Sequence, residues 1–243
     1  KTNRNFDKLK GVAVILVHLL FLLPIIQKEN PWSFQIKFLT LQRHEQIKQN
    51  DMEDNLTFLK EIESAARSMA LKCGEIQLKH FRTNDIGIDT KSNIYDVVTN
   101  VDKACEDYLI DKISSLFPSH SIIGEETGRH IKADSDWRWV IDPLDGTNSY
   151  SQGLPVFCVS IGVKYKDEAV VGVVFAPYLN ELYSAIKGEG AYYHDISTGS
   201  SYQRLSVSRK TDLSQCVVAS GFPYDKATNP KNNIREASRV IPM

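Results

Sequence analysis

The sequence carries no excess of charge of either sign. Its 29 Lys and Arg nearly balance its 30 Asp and Glu, for a formal net charge of −1. No global field therefore draws the chain to nucleic acid or to an anionic membrane. Cysteine is scarce: Cys73, Cys105, Cys158 and Cys216 are widely spaced and form no Cys-x-x-Cys pair. This argues against a disulfide framework and predicts free, buried thiols in a reducing compartment. There is no internal repeat and no low-complexity tract. The one conspicuous apolar run, "GVAVILVHLLFLLPII" at residues 11–26, is interrupted by His18 and Pro24. It falls short of the about 20 residues that a spanning helix needs. Its basic flank, "KTNRNFDKLK", suits a signal peptide or signal anchor, yet no small-residue cleavage site follows. Residues 1–51 thus have three readings: a membrane anchor or uncleaved signal, a packed helix, or sequence that is not genuine protein, upstream of a start at Met52. The expected location is cytoplasmic, with membrane anchoring through residues 11–26 as the alternative.

What is present is an ordinary globular composition, 42% hydrophobic and 24% charged over 243 residues. From Met52 a helical period is clear. Leu56, Leu59, Ile62, Ala66, Met69, Ala70, Cys73, Ile76 and Phe81 fall at three- and four-residue steps. Asp54 or Asn55 is the expected cap, and Lys79, His80 and Arg82 suit the far end of the dipole. A second helix is expected from Thr99 or Asn100, with Val101, Ala104, Cys105, Tyr108, Leu109, Ile113 and Leu116 inward, ending before Pro118. Short β-branched and aromatic runs follow: "SIIGEE", "WRWVID", "FCVSIGVKY", "AVVGVVFAP", "ELYSAIKG" and "AYYHDI". "YKDEA" and "PYLNE" read as turns between them. Helices followed by adjacent strands predict an α+β fold, helices packed on a largely antiparallel sheet. Residues 52–176 are expected to form the main domain, and residues 177–243 to begin a second α/β layer.

The chemistry concentrates in "WVIDPLDGTNSY", residues 139–150. Asp142 is expected to close a strand. Pro143 stiffens the turn, and Asp145 swings back toward Asp142. Glu125 and Glu126 follow another apolar run, and extended neighbours face opposite ways, so one of the two should enter a shared site. Clustered carboxylates repel and raise one another's pKa unless a cation compensates. Hard oxygen ligands, with the Leu144 carbonyl as a further donor, suit Mg²⁺, Mn²⁺ or Ca²⁺. Gly146 lets backbone approach a ligand closely. A helix opening at Gly146-Thr147-Asn148 would offer amides to a phosphate. Taken singly, each motif also has a plain structural use. Asp-Pro-x-Asp-Gly makes turns, Glu-Glu pairs decorate surfaces, and Asp102 suits a helix's first turn. Their occurrence together and in order is what points to metal-assisted hydrolysis of a phosphate monoester.

"GEETG", then "WVIDPLDGTNSYSQGLPVFCVSIGV", and upstream "KSNIYDVVTNVDK", resemble the inositol monophosphatase family of Mg²⁺-dependent, lithium-sensitive phosphatases. The resemblance runs from about Met52 to about Tyr224. It implies two or three Mg²⁺ per site. Glu125, Asp142 and the Leu144 carbonyl would hold the first, which carries the attacking water. Asp142 and Asp145 would contribute to the second, and Glu125 would touch a third. Thr147, paired with Asp102, would help deprotonate the water, while the Gly146 and Thr147 amides bind phosphate next to Asp145. Lys91 and Glu126 match family positions as supporting residues. The implied reaction is inositol monophosphate to inositol and phosphate, within a class of small cyclitol and sugar phosphates. The implied complete protein is a homodimer with no nucleic-acid partner, and with a membrane partner only through residues 11–26.

Two family elements, a Gly-x-x-Ser-x-Ala string and a Trp-Asp-x-Ala helix start whose Asp completes the second metal site, do not occur in the sequence. The expectation is a C-terminally truncated member, poorly stable and nearly inactive as 243 residues. A bisphosphate nucleotidase and a non-catalytic truncated relative are the alternatives. "GTNSYSQGLP" sits nearer the inositol monophosphatase branch, because nucleotidases often carry charged residues after the Thr.

Overall fold

The computed structural model describes residues 49–83, 87–90, 97–132, 135–199, 201–217 and 232–240. The apolar run at 11–26 and Lys91 lie outside them. Helix α1 (Gln49–His80) leads to the short strands β1 (Ile88–Thr90) and β2 (Val97–Thr99), which pair antiparallel. Then come α2 (Asn100–Leu116), β3 (Ser121–Gly124), β4 (Arg129–His130), β5 (Trp137–Asp145), a single turn α3 (Thr147–Ser151), β6 (Cys158–Tyr165) and β7 (Glu168–Ala176). Strands β8 (Glu181–Ile186), β9 (Gly190–Asp195) and β10 (Gln203–Arg204) follow, and helix α4 (Ile234–Val240) lies beyond them. Eight strands form one sheet in the order β10-β9-β8-β7-β6-β5-β3-β4. Only β3 and β5 pair parallel; every other ladder in it is antiparallel. This is the expected α+β arrangement. No described helix is long and apolar enough to cross a membrane.

The helical period of α1 translates into burial. Leu59, Ile62, Ala66, Met69, Ala70 and Cys73 are buried, with Ile76 and Phe81 packed at the margin. This stripe lies on β6, β7 and β8, while α2 covers β5. The helix starts earlier than its expected cap, so Asp54 and Asn55 lie inside it. In α2, Val101, Cys105, Leu109 and Ile113 are buried as expected. Ala104 and Leu116 are exposed instead, and Asp102 and Glu106 are buried in the stripe. The thiols of Cys73, Cys105 and Cys158 are free and buried, but Cys216 is free and exposed. Lys166 in "YKDEA" and Asn180 in "PYLNE" take left-handed φ of 56° and 57°, and each makes its hairpin connection.

At the far end of the helices an aromatic box closes the core. His120 stacks on Trp137 (5.3 Å, 9°) and on Phe117 (5.1 Å, 20°). The Trp139 indole N–H donates to His120 Nδ1 at 3.0 Å. An indole only donates, so this nitrogen accepts and the ring is neutral. Burial holds the His120 pKa below its ordinary 6.5. The unfolded chain therefore takes up this proton first, and stability is lost as pH falls below about 6.5. Urea midpoints compared between wild type and His120→Gln, so that other titrating groups cancel, are expected to show this acid-side loss only in the wild type. Equal slopes would contradict it.

Candidate functional site

Strand β5 does not end at Asp142. It continues to Asp145, and its register against β6 slips on the way: Asp142 faces Ser160, and Asp145 faces Cys158. Three steps on one strand match two on the other, which is a β-bulge with one extra residue. Pro143, with no N–H to give to a ladder, sits inside it. Residues three apart on a regular strand point to opposite faces. The bulge absorbs the odd residue, so Asp142 and Asp145 come to the same face. The expected turn is thus a bulged strand, and it produces the convergence the turn was expected to give. Helix α1 braces the bulge: Gln77 Nε2–H donates to the Pro143 carbonyl at 2.8 Å, and the Tyr150 hydroxyl donates to the Gln77 carbonyl at 2.7 Å.

Glu125 arrives through the parallel pairing of β3 with β5, which sets Gly124 beside Ile141. The next residue on each strand path is Glu125 and Asp142, and their carboxyl groups are hydrogen bonded. Asp142 is buried. Burial foremost, then the charges of Asp145 and Glu125, the hydrogen bond to Glu125 and the charge of Asp102 push its pKa well above the carboxylate range. Asp102 reaches the same place from the first turn of α2. There it completes a capping box: Oδ2 accepts the Thr99 amide (2.8 Å) and hydroxyl (2.5 Å). Its other oxygen, Oδ1, accepts the Thr147 hydroxyl at 3.0 Å. The helix-cap use of Asp102 and its place in the site therefore coexist. The Thr147 Oγ1 also lies 2.9 Å from the Leu144 carbonyl, its alternative acceptor. Burial raises the Asp102 pKa, against the hydrogen bonds from Thr99 and Thr147 that lower it.

Gly146 links Asp145 to Thr147 at φ +92°, in the left-handed region. A Cβ there would stand 2.6 Å from the Val156 carbonyl and 3.2 Å from the Phe157 Cα. Only glycine fits this turn. Of the remaining expected site residues, Glu126 is half-buried and its amide points to Glu106, while Lys91 is outside the described residues. Glu106 and Gln77, both fully buried, were not foreseen. Glu106 lies one helical turn beyond Asp102 on the stripe that carries Val101 and Cys105, and that spacing was its available signal. Gln77 gives none, because nothing in its sequence context marks a partner on β5.

Among the described residues no three carboxylate, imidazole or thiol side chains form a finished metal cage. Asp142 nevertheless feels three other carboxyl groups. Carboxyl groups this close are stabilised either by a shared proton, as between Asp142 and Glu125 here, or by a cation in its place. The donor set is hard oxygen. The nearby Cys158 thiol is kept protonated by burial and by the charges of Asp145 and Asp142, which suits Mg²⁺ or Mn²⁺ over a thiolate metal.

Residues 59–241 match the sequence pattern of the inositol monophosphatase family. The chain belongs to that family. It is 43% identical over 155 residues to the Nus factor SuhB of Haemophilus influenzae, covering 64% of this chain and 55% of that protein. It is 37% identical over 175 residues to inositol monophosphatase 2 of Solanum lycopersicum, covering 70% and 63%. The inositol monophosphatase structure from Anabaena superposes with a TM-score of 0.62 at 31% identity, covering 75% of this chain and 63% of its own. The chain thus spans about half the length of the Haemophilus relative. The α+β layering on a mostly antiparallel sheet is the inositol monophosphatase fold.

Proposed function

We propose that the protein is a Mg²⁺-dependent phosphomonoesterase of small cyclitol or sugar phosphates, with inositol monophosphate its foremost substrate. The observation that carries this reading is the bulge that turns Asp142 and Asp145 to one face, beside Glu125 and the Thr147–Asp102 pair. Glu125, Asp142, Asp145 and the Leu144 carbonyl would hold the ions, two or three in number. Mg²⁺ bound there would supply an acidified water and positive charge for the departing oxygen. Thr147 commits its proton to Asp102 or to the Leu144 carbonyl, so its oxygen lone pairs are left to accept from a water and orient it. Asp102, buried and with its affinity for a proton raised, takes the proton that Thr147 passes on. The Gly146 and Thr147 amides would bind the phosphate.

The test is phosphate release by the complete gene product from inositol monophosphate, fructose bisphosphate and 3′-phosphoadenosine 5′-phosphate, with Mg²⁺ and then with added Li⁺. Expected is Mg²⁺-dependent, Li⁺-inhibited release, fastest from inositol monophosphate. Preference for the adenosine bisphosphate would give the nucleotidase alternative. No Mg²⁺-dependent release from any of them would overturn the reading.

A further inference from the structure

Glu106 is fully buried on the inward side of α2, and the reaction outlined above assigns it no task. Burying a carboxylate is costly unless its oxygens are hydrogen bonded. Here both are engaged. Oε1 accepts the Glu126 amide at 3.2 Å and Oε2 accepts the Thr127 amide at 3.0 Å. These are the two amides that follow Glu125, in the loop that the Gly124 amide closes by donating to the Gly128 carbonyl at 2.8 Å. The fit under this loop is close: a Cβ added to Gly124 would land inside the Glu106 carboxylate. The Thr127 hydroxyl is tied in turn to His130 Nε2 at 2.9 Å, across the connection from β3 to β4. The chain therefore leaves β3 on a path closed at its base by the Gly124–Gly128 hydrogen bond and braced from below by the Glu106 carboxylate.

We propose that Glu106 is a positioning residue: by gripping the Glu126 and Thr127 amides it aims the Glu125 carboxylate at Asp142, and so sets the affinity of the site for its divalent cation. This rests on the reading of Glu125 as a metal ligand. The parallel register of β3 and β5 brings Glu125 alongside Asp142, but register alone fixes where the backbone is and not where the loop turns. Glu106 supplies that second constraint. Groups that orient a metal ligand typically change metal affinity by about 10- to 100-fold when removed.

The experiment uses the full 243-residue chain and Mn²⁺ as the probe, with affinity read by isothermal titration and amide protection by hydrogen exchange. Glu106→Gln keeps the shape but sets an NH₂ group against one of the two amides. It is expected to weaken Mn²⁺ binding by about 10- to 100-fold and to speed exchange at Glu126 and Thr127. In a Glu125→Gln background the same substitution is expected to cost nothing further, because the ligand it serves is already gone. A purely structural role would lower affinity equally in both backgrounds, and that result overturns the proposal. Unprotected Glu126 and Thr127 amides in the wild type overturn it as well. If Glu125→Gln binds Mn²⁺ as tightly as wild type, the metal-ligand reading itself fails. If Glu125→Gln weakens binding and Glu106→Gln does not, only the positioning role fails. Should Glu106→Gln not fold, Glu106→Asp, which keeps the charge and draws the oxygens back, is expected to give the same loss by the same two readouts.

Discussion

Asp142→Asn is expected to make the metal-free protein more stable while removing its response to Mg²⁺. Asp142 is buried, and its carboxyl faces Asp145, Glu125 and Asp102. Without a cation its ionised form is opposed by burial and by three like-charged neighbours. The folded pKa lies above the ordinary 3.8, so the folded state holds this proton longer than the unfolded state does. Stability from this group is full below the ordinary value and is lost as pH rises through the folded value. Asn removes the charge and keeps an oxygen for the Leu144 amide, which Asp142 Oδ1 accepts at 3.2 Å. In EDTA-treated protein at neutral pH the substitution should raise the urea midpoint and flatten its decline toward alkaline pH. Added Mg²⁺ should stabilise the wild type by mass action and leave Asp142→Asn unchanged. Activity of the complete gene product should fall by more than about 100-fold, beyond the loss for groups that merely orient a ligand. A variant less stable than wild type without metal would show that the carboxylate is held by contacts and not by a missing cation.

Thr147→Val is expected to lower kcat by about 100- to 10,000-fold, the range for loss of a group that handles a proton in the transition state. The side chains match in shape, so the change isolates the hydroxyl that sits 3.0 Å from Asp102 Oδ1 and 2.9 Å from the Leu144 carbonyl. Cation binding should persist, because no carboxylate is removed. Stability should fall by only about 1 kcal/mol, since Asp102 keeps both Thr99 donors. Thr147→Ser retains the hydroxyl and should recover most of kcat with KM nearly constant. If Thr147→Val turns over like wild type, the hydroxyl serves only to tie α3 to Asp102 and the Leu144 carbonyl.

The buried stripe of α1 was legible because apolar residues at helical spacing have no other economical use. The start of α1 was not, because Asp54 and Asn55 look like caps while the residues before them also propagate a helix. The inward face of α2 was half legible. Val101, Cys105, Leu109 and Ile113 announce themselves, but Asp102 and Glu106 displace Ala104 and Leu116 from it. Their burial rests on amides and hydroxyls from Thr99, Thr147, Glu126 and Thr127, and three of those four lie far from α2 in sequence. Cys216 was expected inside on apolar neighbours alone and is exposed. At the site, the residue types around Asp142 named the chemistry, but not the geometry. The sequence shows two Asp three apart with a Pro between, which suits a turn or a bulge equally. Only the partner strand, with Ser160 and Cys158 two apart, decides for the bulge.

The central claim is that Asp142, Asp145 and Glu125 form one hard-cation site. Its most direct test is a Mn²⁺ titration of wild type and Asp142→Asn followed by electron paramagnetic resonance, with Mg²⁺ as competitor. Saturable Mn²⁺ binding by the wild type, displaced by Mg²⁺ and absent from Asp142→Asn, is the expected result. Binding that is absent from the wild type, or unchanged by the substitution, would contradict it.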